Sequence, residues 1–173
     1  MTALEVYESV TGGGGTDFAR VIAICEEAAS YCLIGGLAVN CYVEPVYTMD
    51  AGFAITSPES QALEEMLKRD GFTLKKFEHS LNAQAGGSGL RIQFTNDSRY
   101  VDFPKRATRR EVLEVKAMVA SVEDVTQGKL WAWSDATRRL SKRKKDELDL
   151  VRLAEAYPHL KESYPPELKA LFG

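Results

Sequence analysis

The chain has 173 residues, 45% of them hydrophobic and 27% charged, with 22 Lys plus Arg against 25 Asp plus Glu. That is the composition of one ordinary globular domain, and it excludes disordered, collagen-like and disulfide-stapled miniature classes. A formal charge of -3 offers no global attraction for nucleic acid, so any phosphate ligand would have to be met by a local basic patch.

The run Gly12 to Gly15 reads as a linker that frees residues 1–16 as a mobile N-terminal arm, followed by a single domain over 17–173. Phe18, Val21, Ile22 and Cys25 fall on one face at helical spacing, which predicts a first helix over about 17–29 with Thr16 or Asp17 as N-cap. Tyr31 to Ile34 reads as a short buried strand. Two glycines and a short helix follow, and that helix must stop before Pro45 because the residue before proline avoids helical geometry. The segment 52–56 is a second strand. Ser57, Pro58 and Glu59 then start a helix through Leu63, Met66 and Leu67 that ends at Gly71. Three strand-like stretches come next, at 72–79, 80–85 and 90–95, the last two joined by a glycine-rich hairpin turn. Residues 115–120 are a further strand. Ser121 and Asp124 then form a capping box for a helix to about Trp133. Ser141 caps another helix with Leu150, Leu153, Ala154 and Tyr157 on its apolar face, stopped by Pro158, and a last short helix begins near Pro166. The expected architecture is α/β (α+β): a small mixed sheet over about 17–120, flanking helices, and a helical part over about 121–173.

Cys25, Cys32 and Cys41 are odd in number and lack CxxC spacing, so they read as core or half-buried thiols. His79 and His159 have no ligand-like spacing. Trp131 and Trp133 lie two apart on a helix and so point to different faces, one towards the core and one outward. The N-terminus carries Glu where a secretion signal has Lys or Arg, and no run approaches the ~18 apolar residues of a membrane span. The expectation is a cytoplasmic protein with no membrane segment.

Chemistry concentrates where a strand, the Gly35-Gly36 turn and Asp50 follow one another. Glycines at such a turn let a phosphate approach backbone amides, and a carboxylate on the next strand could hold a cation bridging the same phosphates. The bland alternative is a tight turn and a loop aspartate. Lys129 shares a helical face with Val122, Val125 and Trp133, so its ammonium either snorkels to solvent or enters a pocket. Asp146 lies one turn before Leu150 on an apolar face and needs a partner, which Lys129 or an arginine could supply. Arg138, Arg139, Lys142, Arg143, Lys144 and Lys145 put six basic residues in eight positions, either a solvated helix start or a contact for polyphosphate or RNA.

The stretch from Ile34 to Gly52 resembles the first motif of the nucleotidyltransferase superfamily, in which a hydrophobic residue and a glycine pair precede an Asp-x-Asp pair. It is most similar to that of minimal, AbiE-type members, with Gly35, Gly36, Ala38, Pro45, Thr48 and Asp50 matching. Lys129, Arg138, Arg139, Lys145, Asp146 and Asp149 follow the C-terminal pattern of the same relatives, so the resemblance covers roughly residues 30–157. It implies a nucleotidyltransferase-like fold and a toxin-like enzyme that moves a nucleoside monophosphate from a Mg-bound nucleoside triphosphate to a protein or RNA hydroxyl. In that role Asp50 would be catalytic and bind the metal, while Gly35, Gly36, Thr48, Lys129 and Lys145 would bind the nucleotide and its phosphates. An antitoxin protein or RNA would be the partner.

Three departures stand against that chemistry. The second Asp of the pair is Gly52, the strand slot for a third carboxylate holds Gln93, and Val46 replaces the usual arginine. Two-metal phosphoryl transfer needs several carboxylates, so the metal site reads as degenerate. Glu78, Asp97 and Asp102 are candidate substitutes by their position on or beyond neighbouring strands. The alternative is a catalytically inactive nucleotide- or partner-binding protein of the same fold.

Overall fold

The computed structural model describes residues 2–173, except for the side chain of Ser57. Its seven strands are β1 (Tyr31–Ile34), β2 (Asp50–Ile55), β3 (Thr73–Lys76), β4 (Ser80–Gln84), β5 (Arg91–Thr95), β6 (Thr108–Val112) and β7 (Val115–Val119). They form one mixed sheet in the order β3-β4-β5-β2-β1-β7-β6. The β2–β5 and β1–β7 pairs are parallel and the other four are antiparallel. The α/β expectation holds, with a helical end built from α6 (Val122–Ser134), α7 (Leu140–Ala156) and α8 (Pro166–Lys169).

Strict alternation makes β5 two-faced. Ile92 and Phe94 are buried while Arg91 and Gln93 are exposed. On the apolar face Phe94 stacks on Phe53 of β2, and Phe53 stacks on Phe18 of α2 (Gly14–Ala28), with ring centroids 5.2 and 6.3 Å apart. Leu63 and Leu67 of α4 (Ser60–Arg69) complete that side of the core. Burying these five aromatic and leucine side chains stabilises the domain by about 1.5–3 kcal/mol each. The polar face of the same strands is what remains for function.

The N-terminal arm is a correction. Ala3–Thr11 form a helix, α1, whose N-cap Thr2 accepts from Glu5 N while the Glu5 carboxylate accepts from Thr2 N, a reciprocal capping box. Tyr7 and Thr11 are buried. The glycine run is a packed corner: Gly12 ends α1 at φ +64, Gly89 N donates to Thr11 O, and a Cβ on Gly14 would lie 3.2 Å from that of Leu90. Glycine serves here for close approach and a left-handed cap rather than for freedom.

The sequence reading also leaves residues 96–114 unassigned. They hold a short helix, α5 (Phe103–Arg106), and the edge strand β6, joined to β7 through Leu113 and Glu114, both at positive φ. Ser141 does not cap α7. Arg139 takes the N-cap position and Ser141 lies in the first turn. At α6 Ser121 accepts from Asp124 N as expected, while the Asp124 carboxylate turns to Arg106 instead of back to the cap. Both tryptophans are half-buried. Trp131 packs on Tyr100 and Phe103, and Trp133 donates to Glu147. No helix of the described residues is long and apolar enough to cross a membrane.

Candidate functional site

β1 runs straight into the five-residue helix α3 (Gly35–Val39), with Gly35 at φ +72, a conformation that a side chain would strain. A Cβ on Gly36 would sit 3.5 Å from Thr48, so the glycine turn and the approach to β2 are in contact. Thr48 is buried and its Oγ1 accepts from Asp50 N at 3.2 Å. This bond bends the chain into β2 and presents the Asp50 side chain on the polar face. Gly35, Gly36, Thr48, Asp50, Lys129 and Lys145 all line one open cleft of about 840 Å³, walled on the far side by α6 and α7 and floored by β2, β5, β4 and β3.

The Asp50 carboxylate is already occupied. Its Oδ1 accepts from Arg91 Nε at 2.7 Å, and its Oδ2 accepts from Lys142 Nζ at 2.8 Å and Arg91 Nη2 at 3.3 Å. Arg91 is its direct partner across the β2–β5 register, and Lys142 reaches over from α7. Partial burial works to raise the Asp50 pKa, but the hydrogen bonds from Arg91 and Lys142 outweigh it and hold the carboxyl below its ordinary value.

Lys129 is placed differently from the phosphate role. It is buried, and its Nζ lies 2.9 Å from Asp146 and 2.8 Å from Asp149. Asp146 also accepts from Arg138 Nε at 2.7 Å, and Asp149 pairs with Arg152 at 2.9 Å. Arg152 in turn donates to the Glu44 carbonyl, tying α7 to the loop after α3. The ammonium of Lys129 is thus consumed by the junction of α6 and α7. Lys145, by contrast, is exposed on the cleft and carries no ion pair among the described residues.

These residues do not fit a divalent cation. Two residues along from Asp50 and Arg91 the β2–β5 pair presents Gly52 and Gln93 in register, a missing side chain and a neutral amide. None of the substitutes lines the cleft: Glu78 sits beside His79, Asp97 is taken by Arg99, and Asp102 by Lys105. Among the described residues no group of three or more His, Cys, Asp or Glu is arranged to hold a metal ion. What the cleft does offer is charge. Six cations, Lys75, Arg91, Lys129, Arg138, Lys142 and Lys145, meet three carboxylates there, a local excess of +3 in a chain whose net charge is -3.

Arg91 and Lys142 are the functional side chains that sequence reasoning missed as partners of Asp50. The signal for Arg91 was its place two residues before Gln93, hence on the same strand face. For Lys142 it was the spacing of 142, 145 and 149, one face of a helix that also carries the expected phosphate ligand.

No family model matches the chain, and no curated protein matches it. Solved structures do. The antibiotic-resistance factor ANT(2'')-Ia superposes with a TM-score of 0.62 at 13% identity, over 91% of this chain and 94% of that one. The lincosamide antibiotic adenylyltransferase LnuA, lincomycin-bound, gives 0.57 at 12% over 82% and 96%. An antigenic nucleotidyltransferase-like protein from Paracoccidioides brasiliensis gives 0.53 at 16% over 91% and 90%. At such identities the likeness is one of fold: the chain has the fold of nucleotidyltransferases.

Proposed function

We propose that the protein binds a nucleotide or polyphosphate in the cleft through side-chain cations, without a divalent metal, and does not run the Mg-dependent transfer of the enzymes whose fold it shares. The observation that carries this reading is the Asp50 carboxylate held by Arg91 and Lys142 where a metal would have to sit. Arg91, Lys142 and Lys145 face the cleft with exposed or half-exposed side chains and can each donate charge-assisted hydrogen bonds to phosphate oxygens. The open backbone at Gly35, where nothing lies within 4 Å of a Cβ position, leaves room for a ligand beside it. The excess of three positive charges raises the local concentration of anions.

The transfer reading rests on fold and on the relatives' names. Carried over, the adenylyltransferase with lincomycin and the complex of ANT(2'')-Ia with adenylyl-2''-tobramycin would make this chain an adenylyl-transferring enzyme with Asp50 on Mg. A toxin-like role with an antitoxin protein or RNA as partner would follow from the AbiE-type resemblance. Both need Asp50 to leave two cations and to hold a metal with Gly52 and Gln93 for company. The deciding experiment titrates a fluorescent ATP analogue into the protein in EDTA and again in Mg, alongside an assay for label transfer to protein and RNA. The expected result is binding in EDTA that Mg weakens rather than strengthens, because Mg cancels part of the phosphate charge, and no transferred label. Binding that appears only with Mg, or robust labelling, overturns the proposal.

A further inference from the structure

Beyond Asp50 the polar face of the sheet continues as a row of neutral amides. The register places Gly52 beside Gln93, Gln93 beside Asn82 and Asn82 beside Lys75, so these four residues of β2, β5, β4 and β3 share one face and line the same cleft. Gln84 flanks the row two residues along β4 and is braced by donating to the Ser88 carbonyl at 3.1 Å. Three of the chain's seven carboxamides therefore gather on this floor. Asn is disfavoured in strands, so Asn82 in the middle of β4 works against local propensity. Its Oδ1 is buried and accepts no hydrogen bond. A half-turn of the amide exchanges Oδ1 with Nδ2, so the group can offer the cleft either an acceptor or a donor.

A row of carboxamides beside a cationic end selects for a particular ligand shape. Each carboxamide donates and accepts at once and so matches a hydroxyl, which does the same. With no carboxylate in the row and Lys75 at its end, a polycation is disfavoured. At one strand spacing per step, Asn82 lies about 10 Å across the sheet from the Gly52 position, near the span of a sugar attached to a phosphate. Resting on the anion-binding reading of the Asp50 end, we propose that Gln93, Asn82 and Gln84 form a hydroxyl-recognising subsite, and that the preferred ligand is the phosphate ester of a neutral polyol.

The test uses the full chain with 15N label in EDTA, titrated separately with inorganic phosphate and with ribose 5-phosphate, and follows both the backbone amide of Arg91 and the side-chain NH2 pairs of Asn82, Gln84 and Gln93. Both probes should move Arg91, only ribose 5-phosphate should move the carboxamide pairs, and it should bind about tenfold more tightly, the worth of two neutral hydrogen bonds. Asn82→Leu and, separately, Gln93→Met should reduce that preference while leaving the affinity for inorganic phosphate unchanged. Because Gln93 is exposed, Gln93→Met keeps the test open if Asn82→Leu fails to fold. Equal affinity of the wild type for the two probes, or carboxamide signals that stay still, overturns the subsite and leaves the anion site standing. Failure of both probes to move Arg91 overturns the two together.

Discussion

Replacing Asp50 with Asn separates the two accounts of the cleft, because they predict opposite signs. If Asp50 held a catalytic metal, Asp50→Asn would weaken triphosphate binding. Where Asp50 instead occupies Arg91 and Lys142 at 2.7 and 2.8 Å, it is an internal anion competing with the ligand. Its side chain is 40% exposed, so the repulsion it exerts on a bound phosphate is screened to about 1 kcal/mol per unit of ligand charge at close range. A ligand bringing one to two charges near it would gain about 1–2 kcal/mol on neutralisation, roughly tenfold in affinity. The fold should tolerate the change, since each exposed ion pair lost is worth about 0.2–1 kcal/mol and the Thr48 hydroxyl bonds the backbone N–H of residue 50 rather than its carboxylate. Isothermal titration with ATP in Mg, where the two accounts differ in sign, and again in EDTA reads the effect, and raising the salt should shrink the absolute affinity of both proteins. An Asp50→Asn protein that binds ATP more weakly than wild type in Mg, with the difference lost in EDTA, refutes the reasoning.

Lys129→Met should lower the melting temperature by about 6–12 °C, since breaking a buried pair costs about 3 kcal/mol or more and each kcal/mol shifts a domain of this size by about 2–4 °C. Asp146 and Asp149 each keep one arginine, which places the loss at the lower end, and ATP affinity should stay within about threefold. A lowered affinity at an unchanged melting temperature would return Lys129 to the binding site. Gly35→Ala should destabilise by about 1 kcal/mol because of its positive φ, whereas Gly36→Ala, with ordinary contact to Thr48, should melt like wild type; equal melting curves for the two would remove the strain argument. The Asp50 carboxyl is held below its ordinary pKa, so its ion pairs are fully present above the unfolded value of about 3.9 and are lost as pH falls through the folded value. Measured with a diadenosine polyphosphate, which has no terminal phosphate to titrate in this range, the affinity gap between Asp50→Asn and wild type should accordingly stay constant from about pH 8 to 5 and close only in stronger acid; a gap that closes near pH 6 would assign the titration to another group.

Local chemistry was enough to read most of the secondary structure. Alternation in Arg91 to Thr95 forces Ile92 and Phe94 inward, Pro45 and Pro158 stop helices, and Tyr31 to Ile34 can only be a buried strand ahead of a glycine turn. These are short-range steric and hydrophobic constraints, complete within a few residues. The Thr2-Glu5 capping box is equally local and went unread, and the glycine run was read as a linker because a linker and a close-packed corner have the same composition and differ only in what lies against them. Edge strand β6 escaped because Leu113 and Glu114 are not residues that announce a two-residue turn. The candidate site divides the same way. Asp50, Gly52 and Gln93 could be recognised as a depleted carboxylate set from the sequence. That two cations fill the gap could not, since Lys142 is 92 positions from Asp50 and reaches it only after α7 folds back over the sheet. The fate of Lys129 likewise turned on which carboxylates the α6–α7 junction brings within 3 Å of it. Charge pairing is decided by distance in space, and between residues far apart in the chain only the tertiary structure sets that distance.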